Sequence, residues 1–341
     1  MRKPSEGTGG PQGRAQYLDD LATGYRETQI LLAAVRLGLF AALGKRPTGA
    51  TAEELAADLD ADLRGVRILS DALAALELLE KDGERYKNGE LARELLLPES
   101  AASKVPLLLH TAELYERWAG LYDAVKSGRP VPEETTDPRL RRSAESFARA
   151  MHVIGRESAH KVIDAIDLSA VRRLLDVGGG PATYAIEIAR RHPNLRAVVF
   201  DRPETLEVAR RRIRRAGLDD RVSTLAGDAF RDPLGGPYDF VLISNLIHIY
   251  SAAANRELIA RCAAALSPGG RLCLKDFFLD PGGTSPAGGA IFAVNMLVAT
   301  EAGDCFATSE VEEWLQSAGL RFDELVELTP RSRLVLASRP E

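Results

Sequence analysis

Apolar residues at helical spacing mark the first part of the chain. Between residues 17 and 43 they recur at i, i+3, i+4 and i+7, as at Ile30, Ala33, Ala34 and Leu37. A broad apolar stripe of this period predicts an amphipathic helix. Residues 1–16 show no such pattern, and we expect them to form a flexible tail.

A second helical pattern follows, with its own start signals. Thr51 and Glu54 have the spacing of a capping box, which favours a short helix. A longer helix is predicted over residues 62–80, where an aspartate can cap the first turn, and KDGERYKNG at 81–89 is typical of a hairpin. Helices and hairpin in this order predict a winged helix-turn-helix in residues 17–102.

A winged helix can bind DNA or serve assembly. The helix over 62–80 mixes basic and acidic side chains, so it offers no basic stripe that could follow a phosphate backbone. The chain carries a net charge of −5 and a pI near 5.7, which argues against a polyanionic partner. We therefore predict an assembly role and no nucleic-acid partner. A DNA-binding regulator with a ligand-sensing α/β domain is the alternative from another functional class.

Short apolar runs alternate with helical stretches from residue 169 to 341, which predicts βαβ units on a mostly parallel, doubly wound sheet. The last two runs flank Thr329-Pro-Arg-Ser and predict a terminal antiparallel hairpin. That ending is unusual for dehydrogenases and is expected of methyltransferases that use S-adenosylmethionine. Residues 103–168 are helical in pattern and predict a linker that lines the substrate pocket. The predicted strands are RRLLDVG, RAVVFD, RVSTLAGD, YDFVLISN, RLCLKDFFL, FDELVEL and RLVLASR.

The composition is that of a globular protein with a large core, 45% hydrophobic and 27% charged over 341 residues. Cys262, Cys273 and Cys305 form no CxxC pair, so they indicate buried free thiols in a reducing compartment rather than a disulfide or a metal site. No apolar stretch reaches the roughly 18 residues that span a bilayer. We expect a cytoplasmic protein with no membrane partner and no metal.

The segment LLDVGGGPAT marks a nucleoside-binding site. Asp176 leads into three glycines, which let a ligand approach the main chain. Asp201 ends the second strand and is placed to accept from both ribose hydroxyls. After the third strand, Asp228 can accept from the adenine amino group and Phe230 can stack on the ring. The expected cofactor-binding residues are Asp176, Gly178, Gly179, Gly180, Asp201, Arg202, Gly227, Asp228, Ala229, Phe230, Ser244 and Asn245.

Two cofactors fit such a crevice, a nicotinamide dinucleotide or S-adenosylmethionine. The dinucleotide fingerprint G-x-G-x-x-G has Thr183 in place of its third glycine here. Asp176 would repel a pyrophosphate, whereas a cofactor with an ammonium and a sulfonium tolerates it. The residues therefore favour S-adenosyl-L-methionine.

His248 and Asp276 follow the fourth and fifth strands, where a substrate would lie beside the cofactor. A histidine can accept the proton of a phenol as its oxygen attacks a methyl group. Asp276 ends the neighbouring strand and could orient the ring. The other histidines have no such setting, and they are His110, His152, His160 and His192.

The motifs DVGGG, GDAF, SNLIH, LSPGG and EWLQSAGL, with Asp201-Arg-Pro203, resemble those of small-molecule O-methyltransferases. These are the plant caffeic-acid-type enzymes and bacterial relatives that modify polyketides, phenazines and tetrapyrroles. The resemblance covers nearly the whole chain, most strongly from Phe147 onward. It implies a class I methyltransferase fold, with a Rossmann-like sheet and a C-terminal antiparallel hairpin, after an all-helical or winged-helix domain that forms a homodimer.

Residue by residue, the resemblance makes His248 the base and Asp276 the acid that holds it. It makes Asp201 and Asp228 ligands of ribose and adenine. The product would be S-adenosyl-L-homocysteine, and the partner a small-molecule acceptor. The expected acceptor contacts are Phe147, Met151, Phe292, Asn295 and Met296.

The chain departs from the family at several positions. Ile249-Tyr250 replaces an Asp-Trp pair, Cys305 takes the place of a second acidic residue, and Ser244 that of a lysine. Ala182 replaces a glycine, which would cost about 1 kcal/mol or more if that position needs a positive φ. We predict methyl transfer to a hydroxyl of a small, fairly apolar acceptor. C- or N-methylation on the same scaffold stays open.

Overall fold

The computed structural model describes residues 11–132 and 144–341. The chain divides into two compact units, residues 1–112 and 113–341. The sequence analysis placed a separate helical linker at 103–168, and the border of the two units falls inside that segment.

The first unit contains the predicted helices and hairpin. Its helices are α1 Pro11–Thr23, α2 Tyr25–Leu37, α3 Leu39–Gly44, α4 Ala52–Leu59, α5 Leu63–Ala75 and α6 Glu90–Leu95, followed by the start of α7 Val105–Trp118. Strands β1 Leu79–Asp82 and β2 Arg85–Asn88 pair antiparallel and form the predicted hairpin.

The helical pattern predicted over residues 17–43 is present, and it is divided among three helices. The chain breaks at Gly24 and again at Gly38, whose φ of +76° ends α2 in the left-handed conformation that glycine adopts readily. Helix α1 begins at Pro11, so residues 11–16 of the predicted tail are helical, whereas residues 1–10 lie outside the described residues. The helix predicted over 62–80 ends at Ala75.

The predicted helix caps are present. Thr51 accepts from the backbone nitrogen of Glu54, whose carboxylate accepts from the backbone nitrogen of Thr51. Asp62 caps α5 by accepting from the backbone nitrogen of Gly65 at 2.9 Å. Because such caps satisfy donors that the first helical turn leaves open, they fix where each helix begins.

The second unit is a seven-stranded sheet with helices on both faces. Its strands are β3 Arg173–Val177, β4 Arg196–Asp201, β5 Val222–Ala226, β6 Tyr238–Ser244, β7 Leu266–Asp276, β8 Arg321–Thr329 and β9 Ser332–Ser338. Its other helices are α8 Leu121–Ser127, α9 Ala144–Ala165, α10 Thr183–Arg191, α11 Pro203–Ala216, α12 Ala252–Ala264, α13 Ala287–Ala299 and α14 Thr308–Ser317.

The strand order is β5-β4-β3-β6-β7-β9-β8. Strand β9 runs in the opposite direction to the other six strands. All seven strands and the terminal hairpin were predicted. The order reverses between β3 and β6, and ligands of open α/β sheets bind beyond the carboxyl ends of the strands at such a point. Within residues 11–132 and 144–341, no helix is long and apolar enough to cross a membrane.

Candidate active site

The glycine loop lies directly over a buried carboxylate. Asp176 on β3 is fully buried, and neither carboxylate oxygen has a hydrogen-bond partner within 3.5 Å among the described residues, although the backbone N–H of Ala185 is near enough to lower its pKa slightly. A Cβ on Gly179 would lie 2.6 Å from Asp176 Oδ2, so any larger residue would displace that carboxylate. Burial, with a smaller contribution from the charge of Asp201, raises the pKa of Asp176 to about 7. A cationic group placed over this loop would supply the missing partner.

Ala182 closes the same loop with a left-handed backbone. Its φ is +60°, and it precedes the first residue of α10, Thr183. An alanine in this conformation costs about 1 kcal/mol relative to glycine. Position 182 therefore does have a positive φ. The backbone of Ala182 is strained there, where glycine was expected from the resemblance.

Asp201 at the end of β4 braces the glycine loop from the next strand. One carboxylate oxygen accepts from the backbone nitrogen of Gly180 at 2.8 Å, and the other from that of Arg202 at 2.7 Å. Burial raises the pKa of Asp201, and these two hydrogen bonds offset part of the effect. The side chain of Arg202 is exposed and lies 3.6 Å from Glu204. Arg202 thus contacts Asp201 through its backbone.

The end of β5 forms a tight polar turn beside an aromatic pair. A Cβ on Gly227 would lie 2.8 Å from the ring of Phe200. Asp228 accepts from the backbone nitrogen of Phe230 at 2.9 Å, and the ring of Phe230 meets Tyr250 edge-on at 4.8 Å. Tyr250 was noted in the sequence only as a departure from the family. Its place beside Phe230 adds it to the candidate adenine-binding residues.

The backbone around Ala229 is fixed from outside the turn, because its carbonyl accepts from Arg261 Nε at 2.7 Å. On β6, the hydroxyl of Ser244 is buried without a hydrogen-bond partner among the described residues. Asn245 follows with a φ of +53°, a sparsely populated conformation for a residue other than glycine. Its Oδ1 accepts from Lys275 Nζ at 2.6 Å. Lys275 was not among the predicted site residues.

His248 and Asp276 are paired, as predicted. His248 lies in a single 3-10 turn, Ile247–Ile249, after β6, and its Nδ1 is 2.7 Å from Asp276 Oδ1. Both residues are buried. Burial alone would raise the pKa of Asp276, but the charge and hydrogen bond of His248, with the charge of Lys275, outweigh it and hold that pKa below its usual value. An ionised carboxylate only accepts, so Nδ1 carries a proton, and in the neutral form of the ring Nε2 is the nitrogen with the lone pair.

Two phenylalanines form an aromatic wall beside this histidine. Phe277 and Phe292 stack with centroids 4.0 Å apart, and Phe292 meets the His248 ring edge-on at 5.0 Å. Phe292 was a predicted acceptor contact. Phe277 was not, although its position directly after Asp276 placed it at the same strand end.

The remaining predicted acceptor contacts lie on two helices. Asn295 on α13 accepts from Trp118 Nε1 at 2.9 Å, so its side chain is already engaged within the second unit. Met296 is buried in the same helix. Phe147 and Met151 are partly buried on α9. The acceptor role of these four residues stays a prediction.

A further segment packs against His248 and Asp276. The backbone nitrogen of Asp304 donates to the carbonyl of His248 at 3.0 Å, and Gly303 approaches that carbonyl so closely that a side chain would collide with it. Cys305 is buried, and burial together with the charges of Asp276 and Asp304 raises the pKa of its thiol to about 12. The residue in place of a second acid is therefore a neutral thiol, and Asp276 is the carboxylate that contacts His248 Nδ1.

His152 has a setting that the sequence analysis missed. From α9 its Nδ1 lies 3.0 Å from Thr183 Oγ1 and 2.9 Å from Arg212 Nη2. Burial and the charges of Arg212 and Arg156 lower the pKa of His152 to about 4, so it is neutral at physiological pH. It connects helix α9 to the start of α10 at the glycine loop. No local sequence signal marks this contact, because its partners lie 31 and 60 residues away.

A glycine loop over an unpartnered carboxylate, acidic residues at three neighbouring strand ends and an antiparallel last strand define a class I methyltransferase site. The sequence model of the O-methyltransferase domain matches residues 120–321, and that of the O-methyltransferase dimerisation domain matches residues 19–98. The chain belongs to the O-methyltransferase family and uses S-adenosylmethionine, which confirms the predicted fold class, activity and cofactor.

Individual relatives support this membership. The chain is 36% identical over 316 residues to 3-hydroxy-5-methyl-1-naphthoate 3-O-methyltransferase of Streptomyces sahachiroi, covering 89% of this chain and 88% of that protein. It is 34% identical over 290 residues to the N,N-dimethyltransferase OxyT of Streptomyces rimosus, covering 81% and 82%. Among solved structures, human N-acetylserotonin methyltransferase in complex with SAM has a TM-score of 0.85 at 27% identity, covering 96% and 98%.

Proposed function

We propose that this enzyme methylates a hydroxyl of a small phenolic or polyketide-like molecule, with His248 as the general base. The observation that carries the proposal is the 2.7 Å contact of His248 Nδ1 with Asp276 Oδ1. It fixes the ring in the tautomer whose Nε2 can accept a proton. General-base help of this kind contributes roughly 10²–10⁴ in rate.

The residues of the glycine loop and the strand ends fit the cofactor. Asp176 has two unpartnered oxygens, which suit the ammonium of the methionine part. Asp201 would accept from the ribose hydroxyls, and Asp228 with Phe230 would hold the adenine. When bound, S-adenosylmethionine supplies a methyl group on a positively charged sulfur. The chain itself positions the acceptor, excludes water and takes up the hydroxyl proton at His248.

The acceptor class follows from the wall beside the base. Phe277 and Phe292 offer flat apolar surface next to the His248 ring, which suits an aromatic acceptor more than a sugar or a peptide. Two relatives agree with this class by name, one acting on a hydroxynaphthoate and one on acetylserotonin. The name of OxyT describes N-methylation, so nitrogen is the competing acceptor atom.

Two substitutions test the base. The acceptor is found by screening phenols, aromatic amines and polyketides with labelled cofactor, and mass spectrometry locates the methyl group. His248→Ala should lower turnover on a phenol by about 10²–10⁴ while the affinity for S-adenosylhomocysteine changes less than twofold. Asp276→Asn should lower turnover as well, because its amide can donate to Nδ1 and stabilise the wrong tautomer.

The control is His160→Ala, which removes an exposed histidine from α9. It should leave turnover and cofactor affinity at the wild-type level. Turnover of His248→Ala within threefold of wild type would reject the base, and a methyl group found on nitrogen would reject hydroxyl transfer.

We propose further that the chain forms a homodimer through its first unit. Helix α1 exposes Leu18 and Leu21 at 64% and 68%, and Tyr25, the first residue of α2, is 51% exposed. Such exposed apolar residues favour burial against a second chain. The double variant Leu18→Lys/Leu21→Lys should run as a monomer in light scattering at concentrations where wild type is a dimer. A wild-type monomer would reject the proposal.

A further inference from the structure

Lys275 is a buried cation in the immediate neighbourhood of the catalytic pair. It stands on β7 one residue before Asp276 and is 2% exposed. Its Nζ donates to Asn245 Oδ1 at 2.6 Å, and no carboxylate of the described residues lies within 4 Å of it. A lysine ammonium has three N–H donors, so two of them have no assigned acceptor.

This arrangement is costly for the protein alone. Burial lowers the pKa of Lys275 to about 8, and the charge of Asp276 offsets only part of that effect. Buried charges are normally paired, because an unpaired one loses its hydration without compensation. An apolar side chain of similar length would fill the same space without this cost. The ammonium therefore suits an anionic group that comes from outside the chain.

The position of the ammonium points to the acceptor rather than to the cofactor. Lys275 Nζ lies 5.4 Å from the centroid of Phe277, and the Phe277 ring lies 5.8 Å from that of His248. The charge is thus next to the aromatic wall that flanks the base. The glycine loop, by contrast, follows β3, which is separated from β7 by β6.

Asn245, which the sequence predicted as a cofactor contact, is assigned to the acceptor side by its contact with Lys275. Its backbone nitrogen donates to the carbonyl of Lys275 at 2.8 Å, and its φ is +53°. Since a lysine can only donate, Oδ1 of Asn245 must face it, which directs the amide nitrogen elsewhere. That nitrogen makes no hydrogen bond within the described part of the chain. One oxygen of a ligand could accept from both side chains.

We propose that Lys275 and Asn245 form an anion subsite of the acceptor pocket, which selects acceptors with a carboxylate or another acidic oxygen near the hydroxyl that is methylated. This inference rests on the proposed function, because it assumes that the acceptor lies against His248. The carboxylate of the cofactor's methionine part has the same chemistry, so the experiment must separate the two sources.

The experiment measures binding by calorimetry for three probes: 3-hydroxy-1-naphthoate, its methyl ester and S-adenosylhomocysteine. The two naphthalenes share the ring and the hydroxyl, and only one carries the charge. Wild type should bind the acid at least tenfold more tightly than the ester. Lys275→Met should weaken binding of the acid by about 10- to 100-fold and change the other two affinities less than twofold.

Two further variants serve as controls for the binding experiment. Lys161→Met removes an exposed lysine from α9 and should change none of the three affinities. Lys275→Arg keeps the charge and should retain the preference for the acid, which tests the subsite independently should Lys275→Met fold poorly. Equal wild-type affinity for acid and ester overturns the proposal. Loss of S-adenosylhomocysteine affinity in Lys275→Met, with the preference for the acid intact, overturns it in favour of the cofactor's carboxylate.

A failure of the proposed hydroxyl transfer can be distinguished from a failure of the anion subsite. A wild type that prefers the acid but methylates neither naphthalene would refute hydroxyl transfer to such acceptors. The binding result would still support the subsite, because it needs no turnover.

Discussion

Replacing Asp176 by Asn tests the electrostatics of the cofactor loop directly. The folded chain holds this carboxyl at a pKa of about 7, against an ordinary aspartate value of 3.8. The folded state therefore binds the proton more tightly than the unfolded state, and stability is lost as pH rises from about 4 to 7. Three pH units at about 1.4 kcal/mol each give roughly 4 kcal/mol. Asn is neutral at every pH, but its amide would also lack partners, so we expect a gain of about 2–4 kcal/mol at pH 8.

The assay is denaturant unfolding of the protein without cofactor at pH 5, 6, 7 and 8. The advantage of Asp176→Asn should be small at pH 5 and grow up to pH 8. At pH 8 the same variant should bind S-adenosylhomocysteine more weakly, because the negative partner of the ammonium is gone. Asp219→Asn, at an exposed carboxylate, is the matched control and should show no such trend. A variant that is less stable than wild type to the same extent at all four pH values would refute the reasoning.

Three further outcomes are expected. Asp201→Ala should weaken S-adenosylhomocysteine binding at least tenfold by calorimetry, since it removes acceptors for the ribose; unchanged affinity would mean that the ribose site is misassigned. Ala182→Val should lower the free energy of unfolding by about 2–4 kcal/mol, because a β-branched residue cannot adopt this buried, left-handed conformation without strain; a loss below about 0.5 kcal/mol would contradict that account. The three buried cysteines should react with a thiol reagent at pH 8 only after unfolding, since burial raises the thiol pKa to about 12 at Cys262 and Cys305; a fast-reacting native thiol would contradict this.

Much of the fold was predictable because its signals are local. Alternating apolar runs gave all seven strands of the second unit, and cap residues such as Thr51 and Asp62 gave two helix starts. The contact between His248 and Asp276 was predictable for a related reason. Parallel strands end at the same edge of a sheet, so His248 after β6 and Asp276 at the end of β7 had to be neighbours once the strand order was known.

The parts that were missed depend on contacts between distant segments. His152 meets Thr183 and Arg212 across 31 and 60 residues, and Trp118 meets Asn295 across 177. No spacing rule links such positions. Lys275 was overlooked for another reason, since a single lysine in the strand RLCLKDFFL gives no sign of being buried without a carboxylate.

Four energetically unfavourable features of the described residues lie at one edge of the sheet. Ala182 and Asn245 have positive φ angles, the Asp176 carboxylate has no hydrogen-bond partner within 3.5 Å among the described residues, and Lys275 is buried with none of their carboxylates within 4 Å. Each costs on the order of 1–4 kcal/mol. All four lie at the carboxyl edge of β3, β6 and β7, where the sheet order reverses. A protein selected for stability alone would have replaced them with glycine and apolar residues. Their two charges are of opposite sign and stand on the cofactor side and the acceptor side, so two ligands of matching charge would relieve both. On the proposed assignment, Asp176 would favour the cationic cofactor and Lys275 an acidic acceptor within one crevice.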